Sequence, residues 1–210
     1  MLVSLLEPRW WYMEIPRTGT TTIERGLRRV FTHAVAIYQK HWPRLPPDEF
    51  AGATSMVSIR NPYSRAVSCW QFFTRPGEIS FSDWLRQRKE HGFTDIQIEA
   101  RPQAFWYALQ PCWDIVIQQE NLDDDFWAAV RRVAPDVKPD YLQRFNDING
   151  PWVNRVRARV KRNCPWQSYY DSESIALVQC VYAEDFTALA DYYPLDFTEG
   201  TSNHVDRRSP

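Results

Sequence analysis

One stretch constrains this chain more than any other. Trp10 to Ile15 is short, aromatic and β-branched, as a strand is; Pro16 to Thr21 interrupts it; and from Thr22 the apolar residues Ile23, Leu27, Val30, Phe31, Ala34 and Val35 recur at helical spacing. A strand that turns sharply into a helix leaves backbone N–H groups at the helix start without intrahelical acceptors, and the helix dipole adds partial positive charge there. Such a turn is an anion site. Gly19 lets the backbone approach the anion, the threonine hydroxyls add donors, and Arg17 supplies full positive charge. The chain has only 7 glycines in 210 residues, so one at this turn carries weight. The G-x-x-x-x-G-K-[ST] pattern of a Walker A loop is absent, and no lysine follows Gly19.

The rest of the pattern repeats the alternation of strand and helix. Thr54 to Ile59 reads as a buried strand closed by Asn61-Pro62, with a helix marked by Ala66, Val67, Trp70 and Phe73. A short amphipathic helix over Phe81 to Lys89, a loop over 91–104 and a strand over Asp114 to Gln118 follow. Asn121 heads another helix, with Asp123, Asp124 and Asp125 in its first turn, and Ile175, Val178, Tyr182, Phe186 and Leu189 define a last helix behind an Asp171 cap. This order predicts an α/β fold with a parallel sheet, in a single domain over 1–197 with a loose tail over 198–210. A net charge of −1 argues against nucleic acid as a partner held by bulk charge, and no apolar run is long enough for a membrane span. The four cysteines lack C-x-x-C spacing, no leader-like segment or N-glycosylation sequon is present, and the four histidines lack metal-ligand spacing. The expectation is a cytoplasmic protein with reduced thiols and no metal.

A second constellation follows the second strand: Ser58-Ile59-Arg60-Asn61-Pro62-Tyr63-Ser64-Arg65-Ala66-Val67-Ser68. An arginine at the carboxyl end of a strand faces the crevice where α/β sheets take ligands, and Ser68 in the following helix can converge with it. The two stretches together, in this order and spacing, resemble the sulfotransferase superfamily. Pro16 to Thr22 resembles its 5′-phosphosulfate loop, and Ile59 to Ser68 its 3′-phosphate motif. His41-Trp42-Pro43, Arg101-Pro102-Gln103, Glu120-Asn121-Leu122 with Asp125-Phe126, and Tyr182 to Phe186 resemble further segments of the carbohydrate-type branch, across roughly residues 11–193. Arg17 stands where many members have lysine, and Asn61 where aspartate is common.

The resemblance implies a P-loop-like three-layer fold with a central parallel sheet of four or five strands. It also implies 3′-phosphoadenosine 5′-phosphosulfate as co-substrate, with no metal, and an acceptor hydroxyl or amine on a glycan or small molecule. It assigns Arg17 and the amides of Thr18, Gly19, Thr20, Thr21 and Thr22 to the 5′-phosphosulfate. Arg60 with Ser68 is assigned to the 3′-phosphate. Sulfuryl transfer needs in-line positioning and neutralisation of developing charge, which suits arginine and backbone N–H groups. The acceptor must also lose a proton, so a base titrating near neutrality is expected; His41 is that base, with His33, Glu49 and Glu14 behind it. Glu120 is a candidate for orienting the acceptor or the loop arginine. Arg155, Arg157, Arg159 and Lys161 form a basic face if extended, and Trp42 and Trp106 flank the matched segments. Alternative readings are a small-molecule kinase of the same fold and a nucleotide- or glycan-binding module without turnover.

Overall fold

Strand β2 (Trp10–Met13) is the middle of a five-stranded mixed sheet of order β3-β1-β2-β4-β5. The computed structural model describes residues 1–75, 77–93, 95–137 and 164–197. β1 is Leu2–Ser4, β3 Ala34–Ala36, β4 Thr54–Ile59 and β5 Ile115–Gln118. The helices are α1 (Thr20–Val30), α2 (Pro62–Phe73), α3 (Phe81–His91), α4 (Ala104–Tyr107), α5 (Leu122–Val133), α6 (Ser172–Val181) and α7 (Ala183–Ala188). The C-terminal tail and the basic face at 155–161 lie outside the described residues. No described helix is long and apolar enough to cross a membrane.

The sheet is not parallel throughout, which corrects the sequence reading. β2, β4 and β5 run parallel, but β1 pairs antiparallel with both β2 and β3. The reason is chain length. Only residues 5–9 join β1 to β2, enough to reverse the chain but not for the dozen or so residues that a parallel crossover requires. β1 then occupies the free side of β2, so β3 can join only beyond it. The helix expected to run through Val35 ends at Val30: Phe31 leaves helical geometry and its N–H closes on the Leu27 carbonyl at 2.7 Å. Of Ala34, Val35 and Ala36 only Ala34 is buried, so their apolar spacing reflects an edge strand rather than a helix face. The last helix likewise divides at Tyr182, where backbone φ −115° and ψ 28° interrupts it between α6 and α7.

Alternating side chains of the central strands serve both faces. Trp10, Tyr12, Met56, Ile115 and Ile117 pack with Ile23 and Leu27 of α1 and with Phe126, Trp127 and Val130 of α5. Trp11, Met13 and Val57 pack on the other face with Phe50 and Trp106, while Ile59 meets Leu189 and Tyr193. Helices therefore flank the sheet on both faces. A fourth cluster joins α2, α3 and α6 through Tyr63, Trp70, Phe81, Trp84, Leu177 and Val178. These layers hold the carboxyl ends of β2 and β4 side by side, and both candidate loops leave from there.

Candidate functional site

The loop after β2 is built so that its amides stay open. Arg17 has φ 66° and Gly19 φ 86°, both left-handed, and Gly19 is the N-cap of α1. Gly19 offers no capping side chain and no acidic residue occupies the first turn, so α1 lacks an internal acceptor at its positive end. By contrast, Asn61 caps α2 and Asp171 caps α6. The first loop amides that meet a backbone carbonyl are those of Thr22 and Ile23, both on Gly19. The N–H groups of Thr18 to Thr21 have no acceptor among the described residues. The Thr18 hydroxyl does not serve a ligand: it donates to the Ile15 carbonyl at 2.8 Å and meets Ser58 Oγ at 2.6 Å, which in turn meets the Tyr12 hydroxyl at 2.6 Å. Thr18 is buried, and contributes its amide. Thr20 is buried, Thr22 half-buried and Thr21 exposed, the last accepting from Lys40 Nζ at 3.3 Å.

Arg60 follows the last residue of β4, and Asn61 starts α2 by accepting from the amides of Tyr63 and Ser64 while Pro62 takes the first helical position. The strand end and the cap together aim Arg60 at the first loop. Its Nη1 donates to the Arg17 carbonyl at 3.3 Å and its Nε to Ser64 Oγ at 2.8 Å. Arg17 donates through Nε and Nη2 to Ser68 Oγ at 3.2 and 2.9 Å, and its guanidinium lies 4.6 Å over the Phe72 ring. Ser64 and Ser68 are one helical turn apart on the same face of α2, where Cβ atoms stand about 5–6 Å apart, and each hydroxyl holds one of the two guanidiniums. Ser68 was expected beside Arg60; the structure gives Ser68 to Arg17 and Ser64 to Arg60.

Neither guanidinium forms an ion pair with a carboxylate among the described residues; their acceptors are hydroxyls, with one backbone carbonyl. Burial pulls both pKa values down, and each arginine is further disfavoured by cationic neighbours, Arg65 for both and Arg17 for Arg60. Glu120 balances the Arg60 side at second hand. Its Oε1 accepts from Ser64 Oγ and from the Asn61 amide at 3.0 Å each, and Tyr193 donates to its Oε2 at 2.7 Å. Glu120 thus braces the turn that carries Arg60, and none of these contacts reaches Arg17, the loop arginine it was expected to orient.

His41 is anchored to the same end of β2. Its Nδ1 lies 2.8 Å from the Glu14 carbonyl. A carbonyl only accepts, so Nδ1 carries the proton and Nε2 of the neutral ring presents a lone pair. Burial lowers the His41 pKa below the ordinary histidine value and so favours the neutral ring, with the Glu14 carbonyl and the Glu99 charge opposing that shift. Trp106 Nε1 donates to the His41 carbonyl at 2.8 Å from within the core, so Trp106 is an anchor, while Trp42 is exposed. His41 (φ 65°) and Arg17 are the only non-glycine residues with positive φ among the described residues. Such strain costs about 1–3 kcal/mol at each residue, and it persists where surrounding structure enforces it, often at functional sites.

The fallback bases lie elsewhere or are engaged. His33 Nε2 sits 2.8 Å from Ser4 Oγ, and Ser4 pairs with Trp10 at the opposite end of β2. Glu49 is at that same far end, its carbonyl accepting from Arg9. Glu14 is buried, with Oε2 2.7 Å from the Met1 nitrogen. Sequence reasoning left three site residues without a role. Ser64 had a usable signal, its i, i+4 spacing to Ser68. Arg65 and Gln103 stood inside segments that carry the resemblance, but nothing in the sequence pointed to their roles, because their partners are distant backbone groups. No protein-family model, no curated protein and no solved structure matches this chain, and the chemistry of the site rests on its own residues.

Proposed function

We propose that this chain is a sulfotransferase of P-loop-like fold that moves a sulfuryl group from 3′-phosphoadenosine 5′-phosphosulfate to a hydroxyl or amine of a glycan or small molecule. The observation that carries this reading is the pair Arg17 and Arg60, adjacent guanidiniums partnered by neutral acceptors alone. A ligand with two separate anionic groups answers such a pair. The 5′-phosphosulfate meets Arg17 and the open amides of Thr18 to Thr21, the Thr22 amide expected beside them being taken by the Gly19 carbonyl, and the 3′-phosphate meets Arg60. The four cysteines are all free thiols, which supports a reducing, cytoplasmic setting.

In this reading the acceptor oxygen attacks sulfur in line with the bridging oxygen of the phosphosulfate. The new O–S bond forms as the bond from sulfur to the bridging oxygen breaks, and the acceptor proton passes to Nε2 of His41. The remaining N–H groups of Arg17 neutralise charge on the departing phosphate, which leaves as 3′-phosphoadenosine 5′-phosphate. Preorganised donors serve this step well because they need not reorient as charge develops.

The test is calorimetric titration with 3′-phosphoadenosine 5′-phosphate, AMP and ATP, each with and without magnesium. Magnesium-independent preference for the 3′-phosphorylated nucleotide is expected. Preference for ATP with magnesium moves the chain to the kinases. Binding of none of the three overturns the reading.

A further inference from the structure

Three fully buried polar residues link the two arginine loops from within the core. Arg65 is completely enclosed and donates to three backbone carbonyls: Pro16 at 3.0 Å through Nε, Arg101 at 2.9 Å through Nη1 and Glu99 at 3.1 Å through Nη2. Pro16 is the residue before Arg17, whose left-handed backbone must be held in place. Gln103 is also completely enclosed. Its side-chain oxygen accepts from the Arg60 amide at 3.1 Å, and its side-chain nitrogen donates to the Arg60 carbonyl at 2.6 Å. Both backbone groups of Arg60 are therefore gripped by one primary amide, as a neighbouring strand would grip them, just where β4 and β5 stop pairing. Asp185 joins the two. One carboxylate oxygen accepts from the Ala104 amide at 2.8 Å, and the other lies 3.9 Å from Arg65.

A guanidinium at the end of a flexible side chain selects a ligand only if its backbone is fixed. Ser64 and Ser68 hold the tips of the two arginines; Gln103 and Arg65 hold their roots. We propose that Gln103 and Arg65, tied through Asp185, are positioning residues that set the orientation of Arg60 relative to Arg17, and so give the site its preference for an adenosine nucleotide bearing both a 3′- and a 5′-phosphate. The inference rests on the reading of Arg17 and Arg60 as the two halves of a nucleotide site. Gln103 acts on the Arg60 half and Arg65 on the Arg17 half, so the two have separable signatures.

The experiment measures dissociation constants for 3′-phosphoadenosine 5′-phosphate and for AMP by calorimetry, well below the melting temperature, in wild type, Gln103→Met, Gln103→Glu and Arg65→Lys. Gln103→Met keeps the volume and removes both bonds to Arg60. It should weaken the bisphosphate by about tenfold or more while leaving AMP within about twofold. Gln103→Glu keeps an acceptor for the Arg60 amide and should recover part of the preference. Arg65→Lys keeps the charge, loses the three-carbonyl fork and should weaken both nucleotides alike. A purely structural role for Gln103 lowers the melting temperature without changing the affinity ratio, and that result overturns the inference while leaving the nucleotide site intact. Wild type with no preference for the bisphosphate overturns the site reading and this inference together.

Discussion

Replacing Gly19 by alanine tests whether the loop conformation is what makes the anion site. Gly19 sits at φ 86°, where an L-residue is strained by about 1–2 kcal/mol. A Cβ placed there meets Gln119 Cγ at 3.4 Å and Leu122 Cδ2 at 3.5 Å, ordinary contact distances, so the methyl fits and backbone strain is the dominant cost. Gly52 is the matched control, with φ 81° and nothing within 4 Å of the point a methyl would occupy. Lost unfolded-state entropy is the same at both glycines and cancels between the variants. Each substitution should therefore cost about 1–2 kcal/mol, or about 2–8 °C in melting temperature for a chain of this length. The variants should diverge in ligand response. Gly19→Ala turns the amides of Thr18 to Thr21 away from a common point, whereas Gly52 lies before β4, at the end of the sheet away from Arg17 and Arg60. Thermal unfolding monitored by circular dichroism, with and without saturating 3′-phosphoadenosine 5′-phosphate, measures both effects. Wild type and Gly52→Ala should gain a ligand-induced shift that Gly19→Ala largely loses. An unchanged melting temperature in Gly19→Ala refutes the conformational argument, and an equal ligand shift in all three refutes the role of the loop.

Arg60→Ala should weaken the bisphosphate by about 1.5–3 kcal/mol, the range for hydrogen bonds to charged groups, read by the same calorimetry; unchanged affinity removes Arg60 from the site. His41→Ala should abolish sulfuryl transfer yet leave bisphosphate affinity intact, and retained turnover sends the base elsewhere. Because burial lowers the His41 pKa, the base stays neutral into mildly acidic solution, so kcat/KM should begin to fall only below the ordinary histidine value of about 6.5. An acidic limb above that value contradicts the assignment. Burial pushes the Asp185 carboxyl up to about 6, against the pull of Arg65. The folded chain then holds a proton that the unfolded chain releases between about pH 4 and 6, so this residue's contribution to stability declines as pH rises through that window. Urea midpoints at the two ends of the window should show that decline in wild type and less of it in Asp185→Asn; parallel profiles would refute it.

Local signals made much of this protein legible. The strand from Trp10, the turn at Gly19, the Asn61-Pro62 helix start and the Asp171 cap are each decided within a few residues, because capping, φ restriction and apolar periodicity act at short range. Arg17 and Arg60 could be singled out for the same reason, each at the junction of a strand and a helix, whereas His41 was singled out by the His41-Trp42-Pro43 resemblance. What the sequence by itself determined was thus the order of elements, the two arginine loops and the residue types available for anion chemistry.

Only the tertiary structure decided how these pieces meet. The antiparallel β1 and the edge strand β3 depend on which side of β2 is free, a long-range condition that no local periodicity encodes. Ser68 partners Arg17 rather than Arg60 because the position of α2 against the first loop, not the spacing between residues 60 and 68, sets which guanidinium reaches which hydroxyl. The links from Arg65 to Pro16 and from Gln103 to Arg60 span 49 and 43 residues, and hydrogen bonds to backbone carbonyls and amides leave no residue-type signature at the partner position. His33 and His41 differ little as sequence, yet they lie at opposite ends of β2, and the direction of that strand made one of them a candidate base.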